Sequence, residues 1–187
     1  MLLIRAAADE FSRQGFHGTS LSRICKAAEI SMGALTFHFS SKAELADAVV
    51  ETGLSPVRAL VEHVAQRQAP PLERAVGLAM ELTRLLEADP LVRCAVRLSR
   101  ERTGGSAWPA LWRPLVSSLA SQAHESGQLD VGALPDDVTL LIELLVRGSE
   151  VSLQGADTSA AAGHDGSVAR LQRSWRLVLN GIAPAAH

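Results

Sequence analysis

The sequence of 187 residues has no tyrosine, two cysteines and only 4% aromatic residues. Cys25 and Cys94 lie far apart, with no C-x-x-C and no histidine at zinc spacing, which excludes a disulfide framework and a structural zinc site and fits a reducing cytoplasm. No stretch approaches the ~18 uncharged apolar residues of a membrane span. The opening run, MLLIRAAADE, meets Arg5 before any apolar core of signal-peptide length has formed, so no membrane partner is expected. Charge of one sign is also missing, since 18 Lys+Arg face 20 Asp+Glu for a net charge of −2. Total charge therefore says nothing for or against nucleic acid, because a basic patch on one face can bind phosphate on a slightly acidic chain. There is no P-loop, nucleophile elbow, metal cluster or close acid/base pair, and the six histidines are scattered, which removes the usual signatures of an enzyme, a metal or a cofactor.

What is present is helix. The chain is 47% hydrophobic, and its apolar residues recur at helical spacing: Leu3, Ala7 and Phe11; Leu21, Ile24, Cys25 and Ala28; Leu45, Ala48 and Val49; Leu82, Leu85 and Leu86; Leu140, Leu141, Leu144 and Leu145. No convincing alternating strand is found. Gly15 follows the first periodic segment, Ser41-Lys42-Ala43-Glu44 spells a capping box, and Asp89-Pro90 sets a capping residue before a proline at the first helical position. This punctuation predicts an all-α protein of about nine helices, over 2–14, 20–28, 32–38, 42–64, 72–88, 90–102, 110–126, 135–153 and 167–181. Pro114 is expected to kink or delay the seventh. The polar, glycine-containing segments Gly155–Gly166 and Thr103–Ser106 are expected to be mobile loops, the first above all.

Residues 19–39, TSLSRICKAAEISMGALTFHF, place two short helices on either side of Glu29-Ile30-Ser31, with Ser31 positioned to cap the second. That is the spacing of a helix-turn-helix. Gly33 and Ala34 keep the leading turn of the second helix small enough to approach a major groove, while hydroxyls and helix N-termini can take phosphate. Two short helices joined by a tight turn also occur as plain pieces of a helical bundle, so the residues alone leave both readings open.

Residues 11–50, FSRQGFHGTSLSRICKAAEISMGALTFHFSSKAELADAVV, resemble the N-terminal module of the TetR family of transcriptional repressors at about twenty positions of fixed spacing. The resemblance implies an N-terminal three-helix helix-turn-helix head over 1–41. It further implies a ligand-binding and dimerisation body over 42–187, with a connecting helix at 42–64, and a homodimer reading a pseudo-palindromic double-stranded DNA operator. Carried over position by position, Thr19 and Ser20 would bond phosphate, Ser31, Met32, Gly33, Ala34 and Thr36 would face the DNA, and His38 and Lys42 would hold the backbone beyond. Thr19 and Ser20 serve equally well as helix caps. Ala34 could offer its methyl to thymine. Leu35, Phe37 and Phe39 read as core. The family usually has Lys where this chain has Met32 and Tyr where it has Thr36. Over residues 1–48 five basic residues balance five acidic ones, so the salt-dependent part of binding is expected to be weak. The resemblance also implies a basic arm before the first helix, which would put the start upstream of Met1.

Residues 81–130 resemble, more narrowly, the γ-butyrolactone receptor branch of that family, regulators of antibiotic production that respond to small diffusible lactone signals. The resemblance puts Trp112 in a ligand pocket, where an indole offers a flat face and one N–H donor. Val116, Leu119 and Ala123 continue its stripe and read either as pocket or as ordinary core. Leu82, Val96, Ser99 and Leu145 complete the expected lining for a small hydrophobic ligand. Arg97 and Glu101 read as an i, i+4 ion pair. Segments 140–148 and 167–182 carry apolar residues that want a partner, and Leu141, Leu145, Leu171, Trp175 and Val178 are the expected dimer contacts. The function expected is a ligand-responsive repressor of secondary-metabolite genes. Its rival is a ligand-binding pseudo-receptor whose DNA binding is weakened, acting by sequestering signal or by heterodimerising.

Overall fold

The computed structural model describes residues 2–103, 107–156 and 167–182. The segments expected as loops, Gly155–Gly166 and Thr103–Ser106, fall for the most part outside these. Among the described residues the fold is all helix: α1 (Leu2–Gly18), α2 (Leu21–Ala27), α3 (Met32–His38), α4 (Lys42–Gln66), α5 (Pro71–Ala88), α6 (Pro90–Thr103), α7 (Ala107–Glu125), α8 (Pro135–Ala156) and α9 (Ser167–Ile182). No helix is long and apolar enough to cross a membrane among the described residues.

Local chemistry sets the ends. Ser20 and Ser31 cap α2 and α3, accepting from the backbone N–H of Arg23 and of Ala34, which satisfies donors that a helix start leaves open. Ser41 Oγ accepts from Glu44 N, while the Glu44 carboxylate accepts from the N–H and hydroxyl of Ser40 at 2.7 and 2.6 Å. Those two bonds from Ser40 hold the Glu44 carboxyl below its ordinary range. Asp89 Oδ1 accepts from Leu91 N at 2.8 Å. Helix α7 begins at Ala107, three residues before its expected start, and runs through Pro114; Pro109 sits in its first turn, where the missing N–H costs nothing. Its other end closes at Gly127, with φ +69 and Gln128 N donating to Ala123 O at 2.8 Å. The Gln128 side chain then accepts from Leu72 N at 3.1 Å, an open donor in the first turn of α5.

The chain forms two compact units, one of Met1–Pro56 with Asp89–Trp108 and one of Val57–Ala88 with Pro109–His187. Helix α4 passes from the first to the second at Pro56. In the first unit, α1 packs along α6 and α2 against both α1 and α3. Its core is Ala7, Ala8, Phe11, Ile24, Leu35, Leu45, Val49 and Leu98, with both cysteines. A Cβ added at Gly53 would stand only 2.6 Å from Ala95 Cβ and 2.6 Å from the Leu91 carbonyl oxygen, so only glycine lets α4 lie this close to α6. In the second unit α5 packs against α8 and α9, around Leu78, Leu82, Leu86, Trp112, Leu119 and Ile142, all 2% exposed or less.

Candidate nucleic-acid interface and sensing body

Helix α3 presents six of its seven residues to solvent: Met32, Gly33, Ala34, Thr36, Phe37 and His38 are exposed, and Leu35 alone is buried. Phe37, expected in the core, is 85% exposed. Seven residues make under two helical turns, and one anchor already fixes the helix on α2, so nothing obliges Phe37 to turn inward. Phe39, outside the helix, is partly buried against the core as expected. Ser20, exposed beside Ser22 with 3.0 Å between their hydroxyls, flanks this face at the start of α2.

Two expected phosphate ligands are engaged elsewhere. Thr19 is 2% exposed, and its hydroxyl donates to the carbonyls of Gly15 and Glu10 at 2.8 and 3.1 Å. Lys42 Nζ donates to the carbonyls of Phe16 and Thr19 at 2.8 and 2.9 Å and lies over the Phe16 ring. Both therefore hold the turn between α1 and α2. The Thr36 hydroxyl, at the position where the resemblance led one to expect a tyrosine, donates back to Met32 O and Gly33 O within its own helix, as hydroxyls in helices commonly do. Glu10, also buried, pairs with Arg13 at 2.9 Å and lies 3.8 Å from Arg23, tying α2 to α1.

The expected ligand residues fall into both units. Trp112, Val116, Leu119 and Leu82 are fully buried in the second and Leu145 is half-buried on α8, while Val96 and Ser99 are buried on α6 in the first. The stripe from Trp112 to Ala123 is packed as core. Two cavities lie among the described residues of the second unit: one of about 300 Å³ includes His63, Arg67, Arg74 and Glu81, and an open apolar groove of about 360 Å³ includes Leu72, Val76 and Gln128. In the first, Arg74 is spent on the last carbonyls of α4, Val64 O and Ala65 O, and Arg67 on Glu73.

The expected dimer residues differ in their exposure within the protomer. Leu171 and Trp175 are 3% and 2% exposed and belong to the protomer's own core, Leu141 and Leu145 are half-buried, and the side chain of Val178 lies outside the described part. The apolar residues left facing solvent are Leu140, Leu144 and Val151 on α8 and Leu177 on α9. The first three share one helical stripe, with Arg147 between Leu144 and Val151, and an exposed apolar face suits an interaction surface. Because residues 140–146 of α8 are apolar but for Glu143, periodicity could not tell which side its own protomer covers.

Residues 3–49 match the family described as bacterial regulatory proteins, tetR family. The A-factor receptor protein of Streptomyces griseus is 28% identical over 185 residues, covering 97% of this chain and 62% of that one. Among solved structures, a γ-butyrolactone receptor described as ArpA-like superposes with a TM-score of 0.75 at 28% identity, covering 98% of this chain and 86% of the other. The TetR family protein CprB from Streptomyces coelicolor, solved in complex with its biological operator sequence, gives 0.73 at 27%, covering 98% and 88%. These relatives are regulators and receptors, not enzymes. With the helix-turn-helix of α2 and α3 and the all-helical body in place, the chain carries an N-terminal segment of the tetR family type and is similar, along nearly its whole length, to the γ-butyrolactone receptors.

Proposed function

We propose that the chain is a ligand-responsive transcriptional repressor that binds a pseudo-palindromic operator as a homodimer in the cytoplasm. The observation that carries this reading is α3 itself, a capped helix in which Leu35 alone is buried and the other six residues are offered to solvent. Such a face suits a major groove: Gly33 and Ala34 permit close approach, and Ala34, Met32 and Phe37 offer apolar contact to thymine methyl groups. Residues 1–41 would read DNA and 42–187 would sense and dimerise. The dimer would close through Leu140, Leu144 and Val151, setting two heads about 34 Å apart for half-sites one helical turn apart. By likeness to the receptors, the ligand is a small hydrophobic molecule of γ-butyrolactone type entering beside Trp112, and the controlled genes are those of secondary metabolism. As that region is filled, binding would have to open it, which is how a ligand selects one conformer over another.

The test is a fluorescence-anisotropy titration of DNA from upstream of the chain's own gene in moderate salt, with Trp emission followed as 2-acyl-γ-butyrolactones are added. The reading expects binding on the order of 10⁻⁸ M that resists unrelated DNA and is reversed by a lactone that changes Trp emission. Equal affinity for unrelated DNA would overturn it. The second reading, a pseudo-receptor, is favoured by the engagement of Thr19, Lys42 and Thr36 within the protein. It expects the lactone response in Trp emission without specific DNA retention.

A further inference from the structure

Helix α1 is interrupted at Gly15, whose φ of +70° and ψ of 176° are not helical. In an unbroken helix the Phe16 N–H would donate to the Ser12 carbonyl. The break parts these groups, leaving a donor and an acceptor that must be satisfied by other means. Two side chains of α6 supply both. The Glu101 carboxylate accepts from Phe16 N at 2.7 Å, an Arg97 Nη donates to Ser12 O at 2.6 Å, and Arg97 Nε donates to Glu101 at 2.7 Å. The ion pair is thus inserted in series into the missing hydrogen bond. Gly15 makes room for it, since a Cβ there would stand 3.1 to 3.2 Å from the Glu101 and Arg97 heads. Burial raises the Glu101 pKa, but the bonds from Phe16 N–H and Arg97, with His17 nearby, outweigh it and hold the carboxyl below its ordinary range.

The turn completed in this way is the one that starts α2. Its Gly15 carbonyl accepts from the Thr19 hydroxyl and its Phe16 and Thr19 carbonyls from Lys42 of α4, and Ser20, the next residue, caps α2, which packs on α3. We infer that Arg97 and Glu101 are positioning residues for the DNA-reading helices: their ion pair completes the interrupted turn of α1, so that the position of α6 sets where α2, and through it α3, is held. Helix α6 continues in the chain into α5 on one side and α7 on the other, so any displacement of α6 along its axis pulls on Ser12 and Phe16 together. The consequence for DNA rests on the repressor reading; the placement of α2 and α3 does not.

The test uses the ¹⁵N-labelled full chain, wild type, Glu101→Gln and Arg97→Lys, each checked for helicity by circular dichroism. In the wild type the Phe16 amide proton should lie far downfield and move as Glu101 titrates on acidification, and Glu101→Gln should abolish that movement. In both variants amide shifts should change through Ser20–Ala27 and Met32–His38, and affinity for operator DNA should fall about tenfold. A Phe16 amide indifferent to acid, or perturbations confined to residues 12–18 with DNA affinity within twofold, would overturn the inference, even if the variants melt earlier. Should the wild type lack specific DNA binding, the repressor reading fails and the amide shifts of α2 and α3 alone decide. Should Glu101→Gln not fold, the wild-type acid titration and Arg97→Lys decide in the same way.

Discussion

A phenylalanine at 85% exposure on a helix of seven residues contributes little to the stability of the chain that carries it. Phe37→Ala removes mostly water-facing area, so its effect on unfolding should stay within about 0.5 kcal/mol, while contact with thymine methyls and sugar is lost. Operator affinity should fall about tenfold, or about 1.4 kcal/mol; an unchanged Kd in the anisotropy titration would remove Phe37 from the interface. Gly53 is the opposite case. Its Cβ would meet a backbone oxygen at 2.6 Å, and backbone yields less readily than a side chain. Gly53→Ala should destabilise by about 2 kcal/mol through overpacking, lowering Tm by about 5 °C in a calorimetric scan. Neither role was legible in the sequence. Phe37 lay in too short a helix for periodicity to assign a face, and Gly53 sat in an apolar-periodic helix with no turn signal. The capping residues Ser31, Ser41 and Asp89 were legible because a cap is written within four residues of the helix it serves.

At the scale of elements, what crosses from one helix to another is what the sequence did not reveal. Arg97 and Glu101 read as an i, i+4 ion pair, and the turn of α1 that they close, lying 85 residues away, is encoded by no local spacing. Helix α6 makes a second such crossing, since Cys94 Sγ lies 3.3 Å from the Ala8 carbonyl of α1. Burial, the largest influence, pushes the Cys94 thiol up to about 11, against the lowering pull of Ser12 and Arg97. A raised thiol pKa leaves only roughly one part in a thousand as the reactive thiolate at pH 8. Cys94, 1% exposed, should therefore resist iodoacetamide at that pH and react fully once urea unfolds the chain. Alkylation of the native protein at the rate of a free thiol would mean that α1 and α6 part readily, and that the turn at Gly15 is not held as described.

For the whole molecule, the proposed DNA reading and dimerisation would be separable, because different residues would carry them. On the repressor reading, α3 itself has no Lys or Arg to bring to phosphate, and a single head with balanced charge would have a shallow salt dependence. Specific binding then depends on joining two weak heads, a gain in effective concentration that can reach 10²–10⁴-fold without any new contact. The stripe of Leu140, Leu144 and Val151 is where that joining is proposed, and Leu144, 58% exposed, stands at its centre. Leu144→Glu puts a charge where a partner's apolar surface would come, at little cost to a protomer in which this side chain already meets water. It should leave helicity and Tm nearly unchanged, sediment as a monomer, and lose on the order of 100-fold in affinity for the full operator. Affinity for a single half-site should be unaltered, because the head is untouched. Equal loss on half-site and full operator would mean that the substitution acts through the fold of the protomer. No loss on either would place the dimer contact away from α8 and leave the exposed leucines to another partner.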